Sequence, residues 1–228
     1  MTTAGTTPPP DGAGDRFDAH LEQWRTWADA PWGRIRFAVV AAVLGRHVDA
    51  LGERLTRPLR VLDVGGGDGR DAVSLAAAGH RVTLVDTAEG MLAEARRRAS
   101  EAGAALETVA GSLDDLTAVA SGDVDLTLCH FVLQYRPDPA RDLSRLVATL
   151  RPGGRLSVIA PNPVGRVLMR LTREGPRAAL EEQARDDMEA ATFGTTVRRL
   201  TSAEVVGELV AQGLRVVGST AGAPPTTC

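Results

Sequence analysis

The stretch Val61-Leu62-Asp63-Val64-Gly65-Gly66-Gly67-Asp68-Gly69 constrains this chain more than any other. An apolar run carrying one carboxylate ends in glycines at 65, 67 and 69, and a helical pattern begins at Arg70. A strand that turns on glycine into a helix lets backbone approach a ligand with no Cβ in the way. It also points unbonded helix N–H groups toward that ligand. A second strand, Arg81-Val82-Thr83-Leu84-Val85, closes on Asp86, seventeen positions after Gly69. Nucleotide-binding α/β units carry their ribose-holding acid at about this spacing. The two strands together predict an α/β chain that binds a nucleoside cofactor.

The glycine spacing limits which cofactor. A dinucleotide fingerprint needs Gly-x-Gly-x-x-Gly, and counting from Gly65 the sixth position is Arg70. An NAD-dependent oxidoreductase is therefore disfavoured. A phosphate-binding loop needs Gly-Lys-Ser/Thr, and the chain has no lysine. The pattern that fits is Asp-x-Gly-x-Gly-x-Gly, at Asp63, Gly65, Gly67 and Gly69. This resembles motif I of class I S-adenosylmethionine-dependent methyltransferases. Asp86 resembles that class's ribose-binding acid. The segment Asp123 to Gln134 resembles its fourth strand and following turn, and Leu150-Arg151-Pro152-Gly153-Gly154 resembles the turn before its fifth strand. The resemblance implies S-adenosyl-L-methionine as cofactor, with Asp63, Gly65, Gly66, Gly67 and Asp86 around it. The competing reading is a nucleotide-binding module without catalysis.

Periodicity supplies the layout. Residues 1–15 are rich in Thr, Gly and Pro and read as a disordered tail; 16–57 read as N-terminal helices, over 17–28 and 33–55. Strands are expected at 59–64, 81–86, 105–110, 124–130, 155–160 and 214–219. Helices are expected at 70–78, 88–102, 113–119, 138–150 and 202–212. Such alternation specifies a Rossmann-like, doubly wound, mostly parallel sheet. A helical insert over 161–200 precedes the last strand and is expected to cap the substrate, within a domain running from 58 to 220; 221–228 reads as a second tail. Class I methyltransferases usually end with two further strands, and only 214–219 is visible, so the sheet is expected to end at an exposed edge unless the reading frame is cut short.

Residues 17–220 resemble one family more narrowly, that of the bacterial tRNA 5-carboxymethoxyuridine methyltransferases. The matching text is Gly33-Arg34-Ile35-Arg36, Arg60 to Gly69, Ala78-Gly79-His80-Arg81-Val82, Val124-Asp125-Leu126 followed by His130, and the turn at 150–154. This resemblance implies cofactor contacts at Arg36, Gly65, Gly66, Asp86, Ser112, Leu113 and His130. Arg36 would pair with the methionyl carboxylate, as a guanidinium suits a bidentate partner. Ser112 and Leu113 would hold the adenine, with Asp114 a second candidate; His130 would touch cofactor or substrate. Each also has an ordinary alternative: a solvated arginine, a capping acid, a core histidine. The sequence assigns no catalytic residue, and His130 and Tyr135 are the nearest candidates for a base. The family's lysine-rich run is missing: seven arginines over 166–199 face Glu174, Glu181, Glu182, Asp186, Asp187 and Glu189. Phosphate binding needs net positive surface, so the acceptor is left between a small molecule and a modified tRNA nucleoside.

A net charge of −3 gives no general attraction to nucleic acid or anionic membrane, and DNA is not an expected partner. No run of eighteen apolar residues is present, so no membrane association is expected. Two cysteines, Cys129 and Cys228, form neither a disulfide framework nor a metal cluster. The expected setting is cytoplasmic.

Overall fold

The computed structural model describes residues 13–120 and 122–220. Helices α1 (Ala13–Ala19), α2 (Leu21–Asp29) and α3 (Pro31–Leu55) come first. Pro31 ends the extended link after α2 and occupies the first turn of α3, where its missing N–H costs nothing. The tail expected over 1–15 is corrected in part: Ala13 to Asp15 are already helical, and 1–12 lie outside the described residues, as do 221–228.

The alternating part follows as β1 (Arg60–Val64), α4 (Arg70–Ala77), β2 (Arg81–Asp86), α5 (Glu89–Glu101), β3 (Leu106–Ala110), the short α6 (Leu116–Val119), β4 (Val124–His130), α7 (Pro139–Thr149) and β5 (Leu150–Ile159). The sheet order is β3-β2-β1-β4-β5, and all four pairings are parallel. Both faces are covered. Val61, Val82, Leu84, Leu126 and Leu128 pack under Leu44, Val48 and Leu51 of α3, Leu75 of α4 and Leu92 of α5. Leu62, Val64, Val85 and Cys129 face Leu116, Leu143 and Leu146 on the other side. Strands buried on both faces read as continuous apolar runs, which is why Val61 to Val64 show little alternation.

The Pro-Gly-Gly segment expected as a turn lies inside β5. The register slips there, from Val124 opposite Leu150 to Leu126 opposite Arg155. A Cβ on Gly154 would stand 2.9 Å from the Val124 carbonyl oxygen, so the bulge needs glycine. At this end of the sheet, fully buried Asp125 accepts two hydrogen bonds from Arg57 (2.7 and 3.0 Å), one from the Arg60 amide (2.8 Å) and one from Arg151.

After β5 come α8 (Pro163–Glu174), α9 (Pro176–Gln183), β6 (Asp187–Ala190), β7 (Thr195–Arg198) and α10 (Ser202–Ala211). Two expectations are corrected here. The insert is not all helical: β6 and β7 form an antiparallel hairpin in a sheet of their own. No strand forms at 214–219, so the insert precedes only α10. The segment joins no ladder; Val216 and Val217 are exposed, and Gly218 lies beside His47 of α3. Arg155 of β5 reaches the same His47, at 3.1 Å to both its Nδ1 and its carbonyl oxygen.

Candidate functional site

In open α/β sheets, ligands bind beyond the carboxyl ends of the strands. Here that end gathers the glycine loop, Asp86, Arg36, His130, the N-terminal helices and the β6–β7 hairpin.

Gly65, Gly67 and Gly69 all have positive φ, at 67°, 54° and 77°. Their neighbours divide the loop's work. A Cβ on Gly65 would fall 2.3 Å from Val132 Cγ2, one on Gly66 2.7 Å from both Asp63 Oδ2 and Leu84 Cγ, and one on Gly69 2.8 Å from Ala95 Cβ. Those three glycines serve close packing. Gly67 differs, since a Cβ there would meet nothing nearer than Met91 Sδ at 4.0 Å. It is the open point of the loop. The loop amides are spent internally: Gly65 N–H donates to the Val85 carbonyl (2.7 Å), Gly67 N–H to Asp86 Oδ2 (2.8 Å) and Gly69 N–H to the Gly66 carbonyl (3.0 Å). The glycines thus supply space and a self-bonded turn.

Asp86 also accepts from the Ala88 amide at 2.9 Å. It thus braces both the glycine loop and the start of α5, and each oxygen keeps lone-pair capacity for a further donor. Burial pushes its carboxyl above the usual range, opposed by those amides. Asp63 is buried beneath Gly66, and burial, with Asp71 and Asp86 nearby, pushes its carboxyl well above the usual carboxylate range.

Arg36 projects from α3 into an aromatic bed. Its guanidinium carbon is 3.7 Å from the Phe131 ring centre, 5.0 Å from Trp27 and 5.1 Å from Phe37. Burial pulls it down to about 10 against the pull of Asp71, Tyr135 and Asp68, and its Nε has no hydrogen-bond partner. Phe131 holds φ at 60°, unusual for a bulky residue, at the step out of β4. Such strain persists only where surroundings enforce it. The ring under Arg36 and the Phe131 amide on Ile159 (2.7 Å) are two such restraints.

His130, at the end of β4, has both ring nitrogens engaged. Nδ1 is 2.8 Å from Asp71 Oδ2 and Nε2 is 2.9 Å from Ser157 Oγ. Sequence reasoning passed over Asp71 and Ser157. Ser112 and Leu113 stand after β3, as expected, but their side chains are committed elsewhere. The Ser112 hydroxyl donates to Asp115 (2.9 Å) and accepts from the Asp114 amide (3.1 Å), and Leu113 is buried in the core. Asp114 is held by Arg136 and Arg145 at 2.8 and 2.6 Å.

Beside these groups lies a cavity of about 310 Å³, walled by Arg16 and Phe17 of α1, Tyr135 and Arg136 after β4, and Val197 and Arg198 of β7. Phe193, at the hairpin turn, lies against Phe17 (4.8 Å between ring centres), Trp24 (5.8 Å) and Tyr135 (6.3 Å). Phe17, Phe37, Phe193, Tyr135, Trp24 and Trp27 stand in one aromatic array, which Arg36 links to Phe131. Buried carboxylates fix the helices that carry it. Glu94 of α5 binds Arg25 of α2 at 2.5 Å, and Arg70 bridges Asp68 and Asp29 at 2.9 and 2.7 Å. Among the described residues no group of acids, histidines or cysteines is arranged to hold a metal, and no helix is long and apolar enough to cross a membrane.

Comparison with known proteins bears on the fold that carries these groups. A family model described as "Methyltransferase domain" matches residues 61–154. The chain is 35% identical over 138 residues to the tRNA 5-carboxymethoxyuridine methyltransferase of Escherichia coli (strain K12), covering 60% of this chain and 52% of that protein. It is 36% identical over 97 residues to the ubiquinone biosynthesis O-methyltransferase of Aromatoleum aromaticum, covering 42% of each. The chain thus spans about half the length of the curated relatives it matches. Among solved structures, the Burkholderia thailandensis 1,6-didemethyltoxoflavin-N1-methyltransferase, with bound 1,6-didemethyltoxoflavin and S-adenosylhomocysteine, superposes with a TM-score of 0.58 at 25% identity, covering 92% of this chain and 81% of that one. Residues 61–154 thus form a methyltransferase domain, and the fold is that of the class I S-adenosylmethionine-dependent methyltransferases.

Proposed function

We propose that this protein is a cytoplasmic methyltransferase that moves a methyl group from S-adenosyl-L-methionine to a small molecule. The observation that carries this reading is one juxtaposition: open space over Gly67, Asp86 bonded beneath it, and a guanidinium at Arg36 whose Nε lacks a partner. These groups suit the two ends of the cofactor. Asp86 keeps acceptor capacity for ribose hydroxyls, Gly67 leaves room for close approach, and Arg36 offers donors to the methionyl carboxylate. Ser112 and Leu113 offer the adenine backbone contact and an apolar neighbourhood rather than free side-chain atoms.

S-adenosyl-L-methionine supplies a methyl group already activated on a sulfonium. The chain's own residues bind, orient and exclude water, and orientation can lower such a barrier by roughly 7–11 kcal/mol. Tyr135 is a poor base near neutrality, since burial pushes its phenol up to about 12. The cavity beside Tyr135, walled on one side by β7, is the acceptor's place in this reading.

A modified tRNA nucleoside is the second reading, favoured by the likeness to the Escherichia coli enzyme. The insert weighs against it. Arg166 and Arg199 bind Glu182, Arg170 binds Glu174, Arg177 binds Glu181 and Arg185 binds Asp187. Arginines committed to carboxylates release few counterions from a phosphate backbone.

Isothermal titration with S-adenosylhomocysteine tests the cradle. Asp86→Ala is expected to weaken binding by ~1.5–3 kcal/mol, the scale of a charged hydrogen bond; unchanged affinity would remove Asp86 from the site. A labelled-methyl assay against a metabolite extract and total RNA tests the acceptor. Label in the metabolite fraction supports the small-molecule reading and label in RNA the second one. Cofactor binding without any transfer would leave a nucleotide-binding module.

A further inference from the structure

We infer that Asp71 is a positioning residue of this site: it fixes His130 as the Nδ1–H tautomer, with Nε2 left as a hydrogen-bond acceptor for Ser157. Asp71 lies in the first turn of α4, directly after the glycine loop, so the loop's path sets where its carboxylate stands. That carboxylate has Oδ2 2.8 Å from His130 Nδ1. An ionised carboxylate only accepts hydrogen bonds, so in the neutral imidazole Nδ1 carries the hydrogen. Nε2 then presents a lone pair, and the hydroxyl 2.9 Å away on Ser157 donates to it. The three side chains come from α4, β4 and β5, so the ring is held from both sides across the sheet.

His130 therefore meets any bound molecule with its face and carbon edge, while its nitrogens stay with the protein. Its ring is only 8% exposed, which leaves little room for rotation. Asp71 also bears electrostatically on Arg36. One carboxylate thus acts on two of the expected cofactor-contact residues. The orientation of His130 stands on these contacts alone; the effect on cofactor affinity rests on the methyltransferase reading above.

Long-range nitrogen–proton NMR correlation on the full chain tests the orientation. The protein has four histidines, so His130→Gln identifies the signal. At alkaline pH wild-type His130 is expected as Nδ1–H, and Asp71→Asn is expected to turn it to Nε2–H, the consequence of replacing a pure acceptor by an amide at such a dyad. Ser157→Ala is expected to keep Nδ1–H while shifting the Nε2 resonance. Wild-type His130 found as Nε2–H would overturn the inference, whether or not Asp71→Asn folds. An Asp71→Asn spectrum with an unchanged tautomer would overturn it equally. In titration, Asp71→Asn is expected to weaken S-adenosylhomocysteine by roughly tenfold, the lower range for losing a charged hydrogen bond. If the tautomers behave as stated and the wild type binds no S-adenosylhomocysteine, the orientation stands and the cofactor reading falls.

Discussion

The cradle and the cap of this site are built by opposite means. The cradle runs from Val61 to Ala88 and is made of backbone: three positive-φ glycines, an amide on Asp86 and another on the Val85 carbonyl. The cap is made of side chains from distant stretches, with Phe17, Trp24, Tyr135 and Phe193 meeting edge to face or stacked. A backbone cradle tolerates almost no added atom, whereas a side-chain cap can be repacked. The difference teaches how the proposed division of labour would be built: a rigid cradle for the cofactor and a repackable cap for the acceptor.

Substitutions can break that division. Gly66→Ala attacks the cradle, since its Cβ would lie 2.7 Å from Leu84 Cγ and Asp63 Oδ2. We expect a loss of about 3 kcal/mol in a urea melt, at the upper end for overpacking, with cofactor binding lost in titration. A variant of native stability would show that the loop yields, contrary to the contrast drawn. Phe193→Ala attacks the cap. It should cost about 1–2 kcal/mol of stability, the scale of one or two aromatic contacts, and raise the acceptor KM while leaving S-adenosylhomocysteine affinity within roughly twofold. A large loss of cofactor affinity would join the two halves into one unit.

The smallest effect concerns the frame that carries the cap. Hydrogen bonding from Arg97, aided by Arg25, holds the Glu94 carboxyl down at about 2 against an ordinary 4.5. A carboxylate lowered on folding adds stability that is full above its unfolded value and lost as pH falls toward its folded value. Wild type should therefore weaken between about pH 4.5 and 2. Glu94→Gln should flatten that part of the curve by about 1 kcal/mol, discounted because Arg97 is half exposed. Urea melts at successive pH values would show it, and identical curves for the two proteins would deny Glu94 the role.

What the sequence made legible follows the same line. The glycine run, Asp86 and the positions of the five parallel strands along the chain are local features, readable from spacing and apolar runs. His130 is readable because it ends β4. Its partner Asp71 is not, because the two stand 59 residues apart and only the fold joins them. The aromatic array has no sequence period, and at 4% aromatic content nothing marks Phe193 as the companion of Phe17. Ser112 and Leu113 follow β3, yet capping and core packing claim their side chains. The strand expected at 214–219 does not form, and Gly218 lies beside His47 of α3 instead.

Phe131 is under two demands that few amino acids meet together. Its backbone occupies the left-handed region that glycine enters freely, and its ring is the nearest of the aromatic surfaces that bed Arg36. Glycine would satisfy the first demand and forfeit the second; alanine would satisfy neither. The strand's last step and the arginine's electrostatic surroundings are therefore a single unit of inheritance, and neither can drift without the other.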